Sequence, residues 1–209
     1  YGGFDLSATS DLTAWVLWFP PDDWEEGEHI LLCRFWIPEA EMDLKIRRDH
    51  VPYDIWKKQG YIQTTPGETI DYRYVFRQTE EDFQKFDIQD CNFDRWGSEK
   101  IRQDITELVG KDEFMIQFGQ GDASMNAPTV EILRLVKNLK VNHGGNPVLR
   151  WHADSLTVKQ GPTGLIKPVK PDRMKQANRV DGMVAAIMAL DRAMRNKPKN
   201  PDDTVMEVW

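Results

Sequence analysis

Three short apolar runs open the chain, at residues 1–7, 12–19 and 30–37, and turn-forming or charged residues close each one. Apolar stretches of this length between such punctuation read as strands. The connections, residues 8–11 and 20–29, are too short for a parallel crossover, so the three strands are expected to pair antiparallel as a meander. This opening constrains the whole fold, because every later element must pack on a sheet that already exists.

After Pro38 the period lengthens. Residues 39–49 and 52–59 read as polar helices, with Pro52 suited to a first turn. Tyr72, Val75, Phe76 and Phe83 lie on one face of a helix. Residues 86–93 then read as a strand, Ile101, Ile105, Leu108 and Val109 as a helix, 113–118 as a strand, and Ile132, Leu133, Val136 and Leu139 as another helix. A looser region at 143–175 holds two short strand candidates, 156–160 and 165–168. Val180, Met183, Val184, Ile187, Leu190 and Met194 mark a closing helix. Three antiparallel strands followed by parallel βα units make an α/β fold with a mixed sheet and helices on both faces. That is the element order of a ribonuclease H-like fold.

The 209 residues suit one domain, expected over 1–195, followed by an Asn-, Lys-, Pro- and Asp-rich flexible tail over 196–209. No run of about 18 uncharged apolar residues occurs, which excludes a helical membrane span. No leader with a cleavage site opens the chain. Cys33 and Cys91 lie in apolar runs and are expected to be reduced core residues of a cytoplasmic protein. The chain begins with Tyr1 already in a strand, so it is expected to be a fragment lacking an N-terminal partner domain. The net charge of −7 argues against a surface coated for phosphate binding. A nucleic-acid function would therefore need its basic residues gathered near the site, and carboxylates whose local sign is reversed by bound cations.

Three carboxylates stand in unusual places. Asp5 lies inside the first strand, between Phe4 and Leu6, where a charge is costly unless compensated; it also fits a strand end bonded to a turn. Asp94 follows a strand and precedes a helix expected around Arg95, which equally suits an N-cap. Asp181 opens the last helix, where the helix dipole alone accounts for an acid, while Gly182, Ala185 and Ala189 would let that helix lie close to a sheet. In the expected topology the first and fourth strands are parallel neighbours under the last helix, so all three acids converge on one sheet end. Hard divalent cations prefer oxygen donors of this kind, and Mg²⁺ commonly keeps several waters beside only a few carboxylates.

Four blocks carry a resemblance. Residues 1–14, with Gly2-Gly3-Phe4-Asp5 at their head, resemble the opening of the terminase large-subunit nuclease domain of tailed bacteriophages. Asn92-Phe93-Asp94-Arg95-Trp96 is similar to that family's second acidic motif. His143-Gly144-Gly145-Asn146-Pro147-Val148-Leu149-Arg150-Trp151 and Arg179-Val180-Asp181-Gly182-Met183-Val184-Ala185 resemble two further blocks in the same order. The resemblance implies a ribonuclease H-like endonuclease that cuts concatemeric double-stranded viral DNA with two Mg²⁺ or Mn²⁺ ions. By position it makes Asp5, Asp94 and Asp181 the metal-binding catalytic acids. It further implies an N-terminal ATPase domain, a terminase small subunit and a portal or procapsid as partners, in the cytoplasm of an infected bacterium. No G-x-x-x-x-G-K-[ST] occurs here, so this stretch holds no such motor.

Other residues admit two readings. Asp71 fits an N-cap, or an outer-shell acid near the metals. His143, Gly144 and Gly145 form a loop whose amides suit phosphate contact. The basic run Lys159, Lys167, Lys170, Arg173, Lys175 and Arg179 is either a solvated face or a DNA path, with Lys170, Lys175 and Arg179 favoured as contacts. Lys45, Arg47, Arg48, Lys57 and Lys58 read as a solvated face. Trp24 and Trp209 lie in polar context and are candidates for contacts with other components. Rival readings keep the fold and change the substrate to branched DNA (a junction resolvase or transposase-like nuclease), or make the chain an actin-like ATPase fragment or a non-catalytic docking module.

Overall fold

The computed structural model describes residues 1–6, 12–94, 99–111, 114–169 and 179–197. The meander is present as β1 (Gly2–Asp5), β2 (Thr13–Phe19) and β3 (His29–Pro38). It is followed by a 3₁₀ turn (Glu39–Glu41), α1 (Met42–Asp49), α2 (Tyr53–Lys58), β4 (Gln63–Thr65) and α3 (Tyr72–Lys85). Next come β5 (Cys91–Asp94), α4 (Glu99–Val109), β6 (Met115–Phe118) and α5 (Asp122–Lys137). The chain continues with β7 (Val141–Asn142), α6 (Pro147–Asp154), β8 (Thr157–Gln160), β9 (Ile166–Val169) and α7 (Asp181–Arg195).

The main sheet runs β4-β3-β2-β1-β5-β6, with β7 also on β3. β1, β2 and β3 pair antiparallel, whereas β5 is parallel to β1 and β6 is parallel to β5. The expected mixed α/β sheet is therefore what forms. β8 and β9 make a separate antiparallel hairpin that packs on α5.

Period-two alternation sorts the sheet residues into two cores. Ala14, Val16 and Trp18 of β2, with Leu31, Cys33, Phe35 and Ile37 of β3, join α5, α6 and α7 on one face. Trp15 and Leu17, with Trp36 and Phe4, join α3 and α4 residues on the other. Helix α7 is buried on nearly every side, Asp181 to Leu190 without a break. Its small residues make that possible: a β-carbon on Gly3 would stand 2.0 Å from the Ala185 carbonyl oxygen and 2.8 Å from the Ala189 amide. Strand and helix backbones touch there.

The structure departs from the sequence pattern in several places. The strand expected over 86–93 pairs only from Cys91, because Phe86 packs edge-on against Phe19 and Ile88 lies in the core outside the ladder. The looser region contains α6, whose start is set by Pro147 in the first turn and by Asn146, whose carbonyl Oδ1 accepts from the Val148 and Leu149 amides. Trp24 is core: its Nε1 donates to Glu131 at 2.6 Å, and its ring meets His29 edge-on. Both cysteines are buried thiols, and burial pushes Cys33 up to about 12. No described helix is long and apolar enough to cross a membrane. Helix α7 closes at Arg195; most of the expected tail, with Trp209, lies outside the described residues.

Candidate active site

The backbone brings the three aspartates to one edge of the sheet. β1 and β5 pair Gly2 with Cys91, Gly3 with Asn92 and Phe4 with Phe93. Asp5 and Asp94 are the next residues on the two strands and the last of each. Neighbouring strands lie about 4.8 Å apart, so these carboxylates start from adjacent backbone positions. Alternation also decides their side. Phe4 and Phe93 enter the core shared with α3 and α4. Gly3 lies against α7, and Asn92 donates to the Met188 carbonyl at 3.0 Å and to Asp191 at 2.9 Å. Asp5 and Asp94 share that parity and fall on the α7 side.

Helix α7 runs antiparallel to both strands. Near its C-terminal end Arg192 grips Asp90, just ahead of β5, at 2.9 and 2.5 Å. Ala185 covers Gly3. Going back four residues from Ala185 to Asp181 covers ~6 Å of helix, and going on two residues from Gly3 to Asp5 covers ~7 Å of strand. The two steps run the same way, so Asp181 arrives over the edge that Asp5 and Asp94 end. It is only 5% exposed. Among the described residues no three His, Cys, Asp or Glu side chains are drawn close enough to hold an ion; what the fold supplies is the alignment of their backbone positions.

Each acid has neighbours that sequence reasoning missed. Gln120, just past β6, donates to Asp94 Oδ2 at 3.0 Å. The residues between Asp94 and Glu99, where α4 is first described, lie outside the described residues, and the N-cap reading of Asp94 falls on them. Tyr72 lies near Asp5; burial raises its hydroxyl pKa, a bond to Thr13 opposes this, and the Asp5 charge adds to it. No spacing rule links these positions, since each contact joins separate elements.

Behind Asp181 lies a buried ionic group. Lys45, expected on a solvated face, is 1% exposed, because α1 turns it inward. Its ammonium is 3.7 Å from Glu41. Burial and then Arg48 lower its pKa, while Glu41, Asp49 and Asp181 oppose that. Asp49 accepts from Arg48 at 2.7 and 3.1 Å and from the Tyr53 hydroxyl at 2.8 Å. Burial beside Asp49 raises the Tyr53 pKa strongly. Arg179 Nε sits 3.5 Å from Asp49; burial lowers its pKa and the Asp181 carboxylate resists.

Arg179 therefore differs from its expected place. At 6% exposure it is turned into the protein toward Asp49, not offered at the surface to phosphate. Asp71 caps α3 by accepting from the Arg73 amide at 3.1 Å, and the Arg73 side chain grips the same carboxylate and lowers its pKa. His143, Gly144 and Gly145 make the turn into α6, both glycines with positive φ (61° and 69°). β7 just before them pairs with the start of β3, at His29 and Ile30, whereas Asp5 is level with Ala14 and Phe35. The turn thus stands roughly 13 Å along the strands from the aspartate edge, and the structure does not bring it beside the acids. Lys167 pairs with Asp122 at 2.7 Å. Lys170 and Lys175 lie outside the described residues.

Residues 1–197 match the family model described as terminase large subunit, endonuclease domain. The chain is 36% identical over 194 residues to the terminase large subunit of Enterobacteria phage HK97, covering 92% of this chain and 37% of that protein. It is 26% identical over 199 residues to Protein YmfN of Escherichia coli, covering 91% of this chain and 42% of that one. The crystal structure of the HK97 large terminase matches with a TM-score of 0.81 at 34% identity, over 92% of this chain and 39% of that chain. The large terminase nuclease of thermophilic phage G20c with bound magnesium shares the fold, with a TM-score of 0.53 at 9% identity over 91% of this chain and 79% of that chain. The chain spans about two-fifths of the length of the HK97 and Escherichia coli relatives.

Proposed function

The chain belongs to the terminase large-subunit endonuclease-domain family, and from that premise we propose that it is a divalent-metal-dependent endonuclease cutting concatemeric double-stranded viral DNA during genome packaging. The observation that carries this reading is the alignment of Asp5, Asp94 and Asp181 at one sheet edge, two from parallel strand ends and one from the first turn of α7.

The donor set fits hard cations: all three groups are carboxylates, and Mg²⁺ commonly keeps waters alongside a few of them. Magnesium bound to the G20c nuclease supports the choice of metal. Two Mg²⁺ or Mn²⁺ ions held there would supply water activation and charge neutralisation at the leaving 3′ oxygen. Asp5 and Asp94 offer oxygens from a rigid ladder, and Gln120 orients Asp94. Asp181 closes the set from a helix whose position is fixed by Gly3 below it and by the bond from the Gly182 amide to His152. Asp71 is engaged by Arg73 and acts as a cap. In the infected bacterial cytoplasm, duplex DNA would be presented by an N-terminal ATPase domain of the same polypeptide, working with the small subunit and the portal.

The test is cleavage of plasmid DNA by the purified chain. Nicking or linearisation with Mn²⁺ or Mg²⁺ is expected, silenced by chelation, and lost in Asp5→Asn, Asp94→Asn and Asp181→Asn proteins that still melt cooperatively. Undiminished cutting in excess chelator would overturn the reading.

A further inference from the structure

Asp181 is held on both flanks. One residue after it, the Gly182 amide donates to His152 of α6 at 2.9 Å. Two residues before it, Arg179 reaches across to Asp49 of α1. Asp49 is itself taken by Arg48 and Tyr53, so the anchor is rigid. Lys45, one helical turn before Asp49, is buried in the same cluster. Burying an ammonium is costly unless carboxylates answer it; Glu41 stands 3.7 Å from Lys45, and the charges of Asp49 and Asp181 also act to raise its pKa. The cations facing the cluster are Lys45, Arg48 and Arg179; Arg48 is engaged bidentately by Asp49.

We propose that Lys45 and Arg179 form a built-in counter-charge to Asp181, offset by Asp49, and that this cluster sets how tightly the site takes divalent cations. The inference rests on Asp181 being a metal ligand. Lys45, Arg179 and Asp49 are positioning residues here, acting through Asp181. Their charges make predictions of opposite sign. Removing the Lys45 charge takes a positive neighbour away from an incoming cation and tightens binding. Removing the Asp49 charge leaves two cations less offset and weakens it. Loss of packing alone would weaken both.

The experiment measures Mn²⁺ binding to the full 209-residue chain by the EPR signal of free Mn²⁺, with thermal melts alongside. Lys45→Met should bind about tenfold more tightly than wild type and Asp49→Asn about tenfold more weakly, while Lys45→Arg, which keeps the charge, stays near wild type. If Asp181→Asn lowers binding but Lys45→Met and Asp49→Asn shift together or not at all, the counter-charge is wrong and the metal site stands. If Asp181→Asn binds as wild type does, the metal reading of Asp181 falls and this inference with it. Should Asp49→Asn not fold, the pair Lys45→Met and Lys45→Arg decides: equal affinities overturn the proposal.

Discussion

The Gly182 amide donates to Nδ1 of His152 at 2.9 Å, and a β-carbon at position 182 would stand 2.7 Å from that same nitrogen. The Phe35 ring would be equally close. Glycine at 182 is thus what lets α7 begin against α6 and β3, with Asp181 one residue away. Because Nδ1 accepts, the imidazole proton sits on Nε2.

Gly182→Ala should push His152 and Phe35 aside and lower stability by about 1–3 kcal/mol. It should also move the Asp181 carboxylate, and a shift near 1 Å can cost ~10²-fold in rate. Urea unfolding and plasmid cleavage at a temperature where the variant is fully folded separate the effects. Wild-type cleavage by the folded variant would show that the first turn of α7 tolerates displacement.

Gly3→Ala should be worse. The new methyl would meet the Ala185 carbonyl and the Ala189 amide, which are backbone atoms and have no rotamer to swing away. A loss of about 3 kcal/mol or more is expected, read from the urea midpoint or from a failure to fold. A mild effect would mean that α7 can lift from β1, and the placement of Asp181 would then be softer than its packing indicates.

The aspartate edge was legible because it depends on period and order. Strand parity fixes the face of Asp5 and Asp94, and the glycine and alanines at Gly182, Ala185 and Ala189 announce close helix–strand packing. The ionic cluster was not legible. Asp49 and Arg179 are 130 residues apart, and α1 carries Lys45 inward while Arg47, two positions on, faces solvent. Charge in the sequence says nothing about which way a short helix is turned. β4 and β7 have three and two residues, too few for any alternation to register. Trp24 reads as a surface residue among acids until Glu131, 107 positions away, accepts its indole proton.

That last contact gives a pH prediction. Glu131 is pulled from 4.5 to about 2, chiefly by its bonds from Arg134, with burial opposing and Trp24 adding. A carboxyl with a depressed folded-state pKa stabilises the fold fully above its unfolded value, and that stabilisation is lost as pH falls from 4.5 toward 2. Arg134 is partly exposed, so screening reduces the contribution to about 1–2 kcal/mol. Glu131→Gln should lose that amount at neutral pH and show a shallower decline between pH 4.5 and 3 in urea unfolding. An unchanged acid slope would assign the acid sensitivity to other carboxylates.

The final prediction concerns DNA affinity. With a net charge of −7, the isolated chain should bind duplex weakly, at roughly 10⁻⁴ to 10⁻⁶ M in physiological salt. Counterion release counts only side chains that reach phosphate. Arg179 is buried against Asp49, so its replacement by Ala should leave the slope of log affinity against log salt unchanged, although stability falls. Lys170 and Lys175 are the residues proposed for the DNA path, and replacing both with Ala should flatten the slope by about one to two units. Binding is measured on an Asp181→Asn background so that no cutting intervenes. A flattened slope in the Arg179 variant would mean that its guanidinium leaves Asp49 when DNA arrives. An unchanged slope in the double lysine variant would place the path elsewhere on the surface.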